Sequence, residues 1–284
     1  MHVSALQTSS GMFCVLALDT TPTVANELGL DLDLEPNQQF FAALNEELLK
    51  HLSPMSSGVV LDPIFTLPLL SHKANQPGLA LRLEQLTPGT DPLVIPTIIP
   101  NWGVEHISQN YGVTKVEMYY HPEEMEALAK KQLIAEINDF CDLQHSHLLL
   151  KLMIYTQPDD GEQGLSMAEV QLEAVTELRS NCQLLVLQPP PDSLTAATLT
   201  AELDVPWLVS LEGLEYATAK DIMRQALESG AKGAYLGDVV WRDIRNLRQA
   251  DASLDWPAIQ TFIATEARDR MIELRRIIDE FANI

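Results

Sequence analysis

A chain of 284 residues has room for one large barrel or two small domains, and its 46% hydrophobic and 20% charged content can bury a large core. Forty acidic residues against 18 basic ones give a formal charge of −22, which repels phosphate backbones and anionic lipid. That excludes nucleic acid and membrane surfaces as natural partners and leaves two uses for the acids, a solvated surface or a face for a basic protein partner. Cys14, Cys141 and Cys182 are widely spaced and form no CxxC motif, which fits a reducing compartment. No apolar run reaches the roughly 18 residues of a membrane span, and no basic segment followed by an apolar stretch opens the chain, so the expected location is the cytoplasm.

In chain order, short apolar runs alternate with longer amphipathic segments. MFCVLALD at 12–19 reads as a strand, followed by a helical pattern at 37–52. GVVLDP at 58–63, VIPTII at 94–99 and VTKVEMYY at 113–120 read as the next three strands, and a helix is expected over 123–143. HLLLKLMIY at 147–155, a helix over 166–180 and QLLVLQ at 183–188 continue the rhythm. PWLVSLE at 206–212, a helix over 215–230 stopped by Gly230, and GAYLGD at 233–238 complete it. The tail from Trp256 reads as one or two closing helices. Its apolar positions (Ile259, Phe262, Ile263, Met271, Leu274, Ile277, Phe281) suit the chain's own packing or a homo-oligomer surface. The Pro-rich stretches at 88–100 and 189–191 read as loops.

Near-continuous apolar strands separated by helices are what a parallel sheet covered on both faces requires. Eight of them, with no break in composition, predict a single α/β domain over 1–284, a (β/α)₈ TIM barrel with C-terminal closing helices. In such barrels function sits at the C-terminal ends of the strands.

Several strand ends together carry a resemblance. LALD at 16–19, LDPIFTLP at 61–68, the lysine and paired tyrosines of KVEMYY at 115–120, and SGAKGAYLGDVVW at 229–241 are similar, in order and spacing, to the class I tagatose-1,6-bisphosphate and sulfofructosephosphate aldolases. The resemblance covers roughly 11–245. It implies a Schiff-base lysine on the sixth strand, where an iminium serves as electron sink. This chain instead has Leu185, Val186, Leu187 and Gln188 there. It implies a proton-transferring glutamate on the fifth strand, where Lys151 stands. It implies a phosphate site after strands seven and eight, where Glu212 and Asp238 now oppose an anion while Gly213 and Gly237 keep the backbone shape. Arg242 is expected to point along the barrel wall.

What the resemblance retains is Asp19, Asp62 and Lys115, which line the substrate pocket in the family. Asp19 and Asp62 also have turn readings, since each stands just ahead of a turn-forming segment. Lys115, Glu117 and Tyr119 share one strand face, as do Lys151, Met153 and Tyr155. Lys151 has two readings: a structural ammonium paired with Glu117, or a desolvated nucleophile of depressed pKa. The candidate catalytic residues are therefore Lys151 and Lys115. The candidate ligand-binding residues are Asp19, Asp62, Glu117, Tyr119, Tyr155, Glu212 and Asp238.

His121 and the histidines of HSH at 145–147 read as loop residues, and no dinucleotide, P-loop or nucleophile-elbow motif occurs. No cofactor and no metal site is expected. Three functions follow as alternatives: an aldolase-like binding or assembly module whose small-molecule ligand is not bisphosphorylated; an active carbon–carbon lyase using a relocated Lys151; or a metal-assisted enzyme using the carboxylates of the mouth.

Overall fold

A computed structural model describes residues 1–70, 77–85, 89, 91–157, 160 and 164–282. Eight parallel strands close into a barrel in sequence order: β1 (Phe13–Leu18), β2 (Gly58–Leu61), β3 (Gly78–Arg82), β4 (Val113–Tyr120), β5 (Leu148–Ile154), β6 (Leu184–Leu187), β7 (Trp207–Ser210) and β8 (Gly233–Leu236). The helices are α1 (Thr21–Leu28), α2 (Glu35–Leu52), α3 (Val104–Gln109), α4 (Ala127–Leu143), α5 (Met167–Leu178), α6 (Ser193–Glu202) and α7 (Tyr216–Glu228). The tail forms α8 (Trp256–Phe262), a π-turn over Ile263–Ala267, and α9 (Arg268–Glu280). No described helix is long and apolar enough to cross a membrane.

Alternation along each strand divides the side chains between two cores. Phe13, Val15 and Ala17 of β1, Val60, Ala80, Val113, Leu149, Leu184, Val186, Leu208 and Tyr235 fill the inside of the barrel. Their neighbours, such as Cys14, Leu16, Val59, Leu81, Val116, Leu150 and Leu185, pack outward against the helices. Ile259, Ile263, Met271, Leu274 and Ile277 of the closing helices are wholly buried in that outer layer. Burial drives the thiols of Cys14 and Cys182 up to about 12, as inert core residues.

The third strand departs from expectation. It is Gly78–Arg82, and the 94–99 run belongs to the loop between β3 and α3. Pro96 interrupts that run and cannot donate to a ladder. Only Ile98 forms a bridge, antiparallel to Glu84, with Gln85 N–H donating to Thr97 O (2.7 Å) and Ile99 N–H to Leu83 O (3.1 Å). The run is thus a rib folded back over the barrel mouth. Of the Pro-rich stretch, Pro88 lies outside the described residues.

The other end of the barrel is stoppered by the 3₁₀ turn Val3–Leu6, whose Leu6 joins the interior core. The floor strands make room for it: a Cβ on Gly78 would lie 2.0 Å from the Ala5 carbonyl oxygen. Gly78→Ala is therefore expected to lower stability by about 1–3 kcal/mol, the range for overpacking a filled core, read as a fall in the urea midpoint. An unchanged midpoint would mean that the turn does not seat in the floor.

Candidate functional site

One further step of alternation beyond the apolar layers brings polar side chains to the C-terminal mouth. Parallel register sets their neighbours: Arg82 lies beside Lys115, Glu117 beside Lys151, and Lys151 beside Val186. The result is a buried network of alternating charge. Lys115 is wholly buried, its Nζ 2.7 Å from Asp19, 2.8 Å from Glu84 and 3.2 Å from Glu117. Lys151 Nζ, on a side chain only 3% exposed, donates to Glu117 Oε2 at 3.0 Å and pairs closely with Glu212. Arg82 pairs with Asp62 and donates to the Glu84 carbonyl at 2.8 Å. Tyr235 reaches Asp19 Oδ1 at 3.1 Å from the eighth strand.

Above the network opens a cavity of about 400 Å³. Lys151, Glu84, Glu117, Tyr119, Glu212, Asp238 and Arg242 contribute to its lining, with Val94, Ile95 and Pro96 of the rib forming part of its wall. Asp19, Asp62 and Lys115 lie beneath, holding the polar layer together.

Of the two readings of Lys151, the geometry has the ammonium paired with Glu117, and the electrostatics oppose a depressed pKa. Burial alone would push its ammonium toward neutrality, but Glu117 and Glu212 outweigh it and raise the pKa. Lys115 is raised in the same way, burial being overcome by Asp19, Glu84 and Glu117. Glu117 is the converse: against the desolvation that would raise it, Lys151 and Lys115 hold it down at about 2. Glu84 and Glu212 are raised, because for them burial exceeds the help of their lysines. Asp19 is lowered, Lys115 overcoming its burial.

Asp62 takes its turn reading and does not reach the cavity lining. Its Oδ1 accepts from the N–H groups of Ile64 (2.6 Å) and Phe65 (2.9 Å), an Asx-type turn, while Oδ2 faces Arg82. Arg242 departs from expectation: it does not lie along the wall but lines the mouth, with Nη1 2.7 Å from Asp238 Oδ2. The same Asp238 accepts the N–H of Gly213 at 2.9 Å. Gly213 sits at φ +74°, the left-handed turn that points its N–H inward and favours glycine. The loop donor and the arginine suited to an anion are thus both engaged by the chain's own carboxylate.

Tyr155 does not join the site. Its hydroxyl donates to Glu124 at 2.6 Å, in a separate cluster where Lys130 bonds Glu124 (2.8 Å), Tyr119 O (2.9 Å) and Pro92 O (2.6 Å). His121 lies in the loop after β4, as expected, but is buried in that cluster at 1% exposure, its Nε2 3.2 Å from Asp160 and its Nδ1 accepting from Glu123 N–H. The mouth carboxylates proposed as cation ligands are instead paired with Arg82, Lys115, Lys151 and Arg242. Among the described residues no group of three or more His, Cys, Asp or Glu is arranged to hold a metal ion.

Arg82 and Glu84 were not among the expected site residues. The signal was present: in GLALRLE, Ala80, Arg82 and Glu84 alternate with Leu79, Leu81 and Leu83, as a strand with one polar inner end requires.

The chain is similar over 96% of its length to the tagatose 1,6-diphosphate aldolase 2 of Enterococcus faecalis, at 22% identity in an alignment of 308 positions covering 91% of that protein. It is 21% identical to the tagatose 1,6-diphosphate aldolase of Streptococcus agalactiae, over 84% of each chain. No protein-family profile matches it. Among solved structures, an archaeal fructose 1,6-bisphosphate aldolase superposes with a TM-score of 0.68 at 15% identity, covering 97% of both chains. Another archaeal fructose-1,6-bisphosphate aldolase, with its catalytic Lys covalently bound to the carbinolamine intermediate, gives 0.63 at 18% identity, covering 95% of this chain and 98% of that one. These likenesses agree with the barrel described above.

Proposed function

We propose that this diverged relative of the aldolases is a ligand-binding barrel without sugar-bisphosphate aldolase activity, whose mouth takes a small ligand lacking phosphate. The observation that carries the reading is the pairing of both inward lysines with carboxylates. An iminium forms only when a neutral amine attacks a carbonyl. Here Lys115 and Lys151 are both held as ammonium ions by buried carboxylates, and beside Lys151 on the sixth strand stands Val186. Charge supports the second half of the reading. At an effective dielectric of about 20, a unit anion roughly 5 Å from one carboxylate is opposed by about 3 kcal/mol, and Glu212 and Asp238 both line the cavity.

A specific observation favours a second reading, a carbon–carbon lyase built on Lys151. Lys151 lines the cavity, and its Nζ lies within hydrogen-bond reach of Glu117 and Glu212, either of which is placed to take its proton as a carbonyl approaches. Borohydride reduction in the presence of dihydroxyacetone phosphate or fructose 1,6-bisphosphate separates the two. The first reading expects no mass increase on the intact protein. An adduct abolished by Lys151→Met would establish the second and overturn the first.

A further inference from the structure

The mouth holds more acid than its own bases neutralise. Among the described residues, Asp19, Asp62, Glu84, Glu117, Glu212 and Asp238 face only Arg82, Lys115, Lys151 and Arg242, and each of those four cations is already engaged with one or more of these acids. Glu27 adds a further carboxylate to the cavity lining. The surplus has a definite address. Glu84 lines the cavity with its side chain only 3% exposed, and Oε1 accepts from Lys115 Nζ at 2.8 Å. Its Oε2 is buried with no hydrogen-bond partner among the described residues. Asp19 Oδ2, which also lacks a well-aligned hydrogen bond, has Lys115 Nζ at 2.7 Å to answer its charge. An acceptor left bare in this way keeps its desolvation cost, which a ligand donor would recover. The burial that raises Glu84 and Glu212 is the mark of acids short of positive charge.

Much of the remaining lining is apolar. Val24, Val94, Ile95, Pro96 and Met153 border the same cavity. We propose that the mouth binds a small organic ammonium, a primary amine on a short apolar stem, whose N–H donates to Glu84 Oε2 while the stem packs on Val94, Ile95 and Met153. A hydroxyl would satisfy Glu84 Oε2 and leave the charge surplus standing; an ammonium answers both. This inference rests on the reading of the mouth as a site for a ligand without phosphate, and it names that ligand's class.

The test is calorimetric titration of the purified protein at pH 7 with n-pentylamine, 1-pentanol, pentanoate and methylamine. We expect n-pentylamine to bind at least about tenfold more tightly than 1-pentanol or methylamine, roughly 1.4 kcal/mol, and pentanoate not to bind. Glu84→Gln should weaken the amine by about tenfold. Glu136→Gln, which removes an exposed acid on α4, should leave it unchanged, separating the site from general attraction to an acidic surface. Failure of n-pentylamine to bind, parity with 1-pentanol, or indifference to Glu84→Gln overturns the proposal. Should the variant not fold, the comparison of amine with alcohol on the unaltered protein still decides. Alcohol binding without amine preference would leave the ligand-binding barrel intact, whereas a borohydride adduct would remove that reading itself.

Discussion

Lys115→Met is expected to destabilise the protein by about 3–5 kcal/mol, the range for removing one partner of a buried ion pair. The side chain is wholly buried, and three carboxylates converge on its Nζ within 3.2 Å. Methionine fills much of the volume, so the loss is not chiefly a cavity. It leaves Asp19, Glu84 and Glu117 in a space that solvent does not reach, with Lys151 and Arg82 as the nearest remaining cations. The cost should fall in a double variant that also carries Glu84→Gln, because one stranded charge is removed with the lysine. Urea unfolding of the two single variants and the double variant measures this coupling. Additive losses would mean that Lys115 and Glu84 do not act on each other. The sign with pH is also set. Lys115 is raised above its ordinary value, so its contribution is complete below about 10.5 and is lost only as pH rises through the still higher folded value. The penalty of Lys115→Met should therefore stay level between pH 7 and 10.

The barrel was legible because its determinant is local. Short, near-continuous apolar runs mark β1 and β5 and alternation marks β4 without reference to any other strand, and the same alternation places Lys115, Glu117 and Tyr119 on one face. The third strand escaped because its inner end is charged: Arg82 and Glu84 make GLALRLE read as amphipathic, while the Ile and Val of 94–99 have strand-like composition in a loop. That single exchange hid two members of the network, including the partner 2.8 Å from Lys115. The choice between the two readings of Lys151 stayed open in the sequence for a different reason. It depends on Glu117 one strand away and on Glu212, which approaches from beyond β7, so the register of a closed barrel has to exist before the sign of the shift is defined. Arg242 likewise required the path of the chain after β8, which turns the guanidinium back onto Asp238. Tyr155, which alternation along its run assigns to the inner face, lies one residue past β5, where the chain leaves the barrel and alternation no longer governs direction.

Glu117→Gln should cost about 3 kcal/mol at pH 7, and that cost should vanish in acid. Glu117 is held at about 2 against an ordinary 4.5, and a shift of this size corresponds to about 3 kcal/mol of stability. Because the folded value lies below the unfolded one, the contribution is complete above about 4.5 and is lost as pH falls from there toward 2. Glu84 and Glu212 act in the opposite sense. Their folded values are raised, so each binds its proton more readily in the folded state, and stability rises as pH falls through those values to the ordinary carboxyl range. The unaltered protein should accordingly be most stable in mild acid and lose stability below it. Urea midpoints of the unaltered protein and Glu117→Gln between pH 7 and 2.5 separate charge from shape. Two curves drawing together as pH falls from about 4.5 toward 2.5 assign the cost to the ion pairs with Lys151 and Lys115. A gap constant with pH would assign it to packing and contradict the electrostatic account of the mouth.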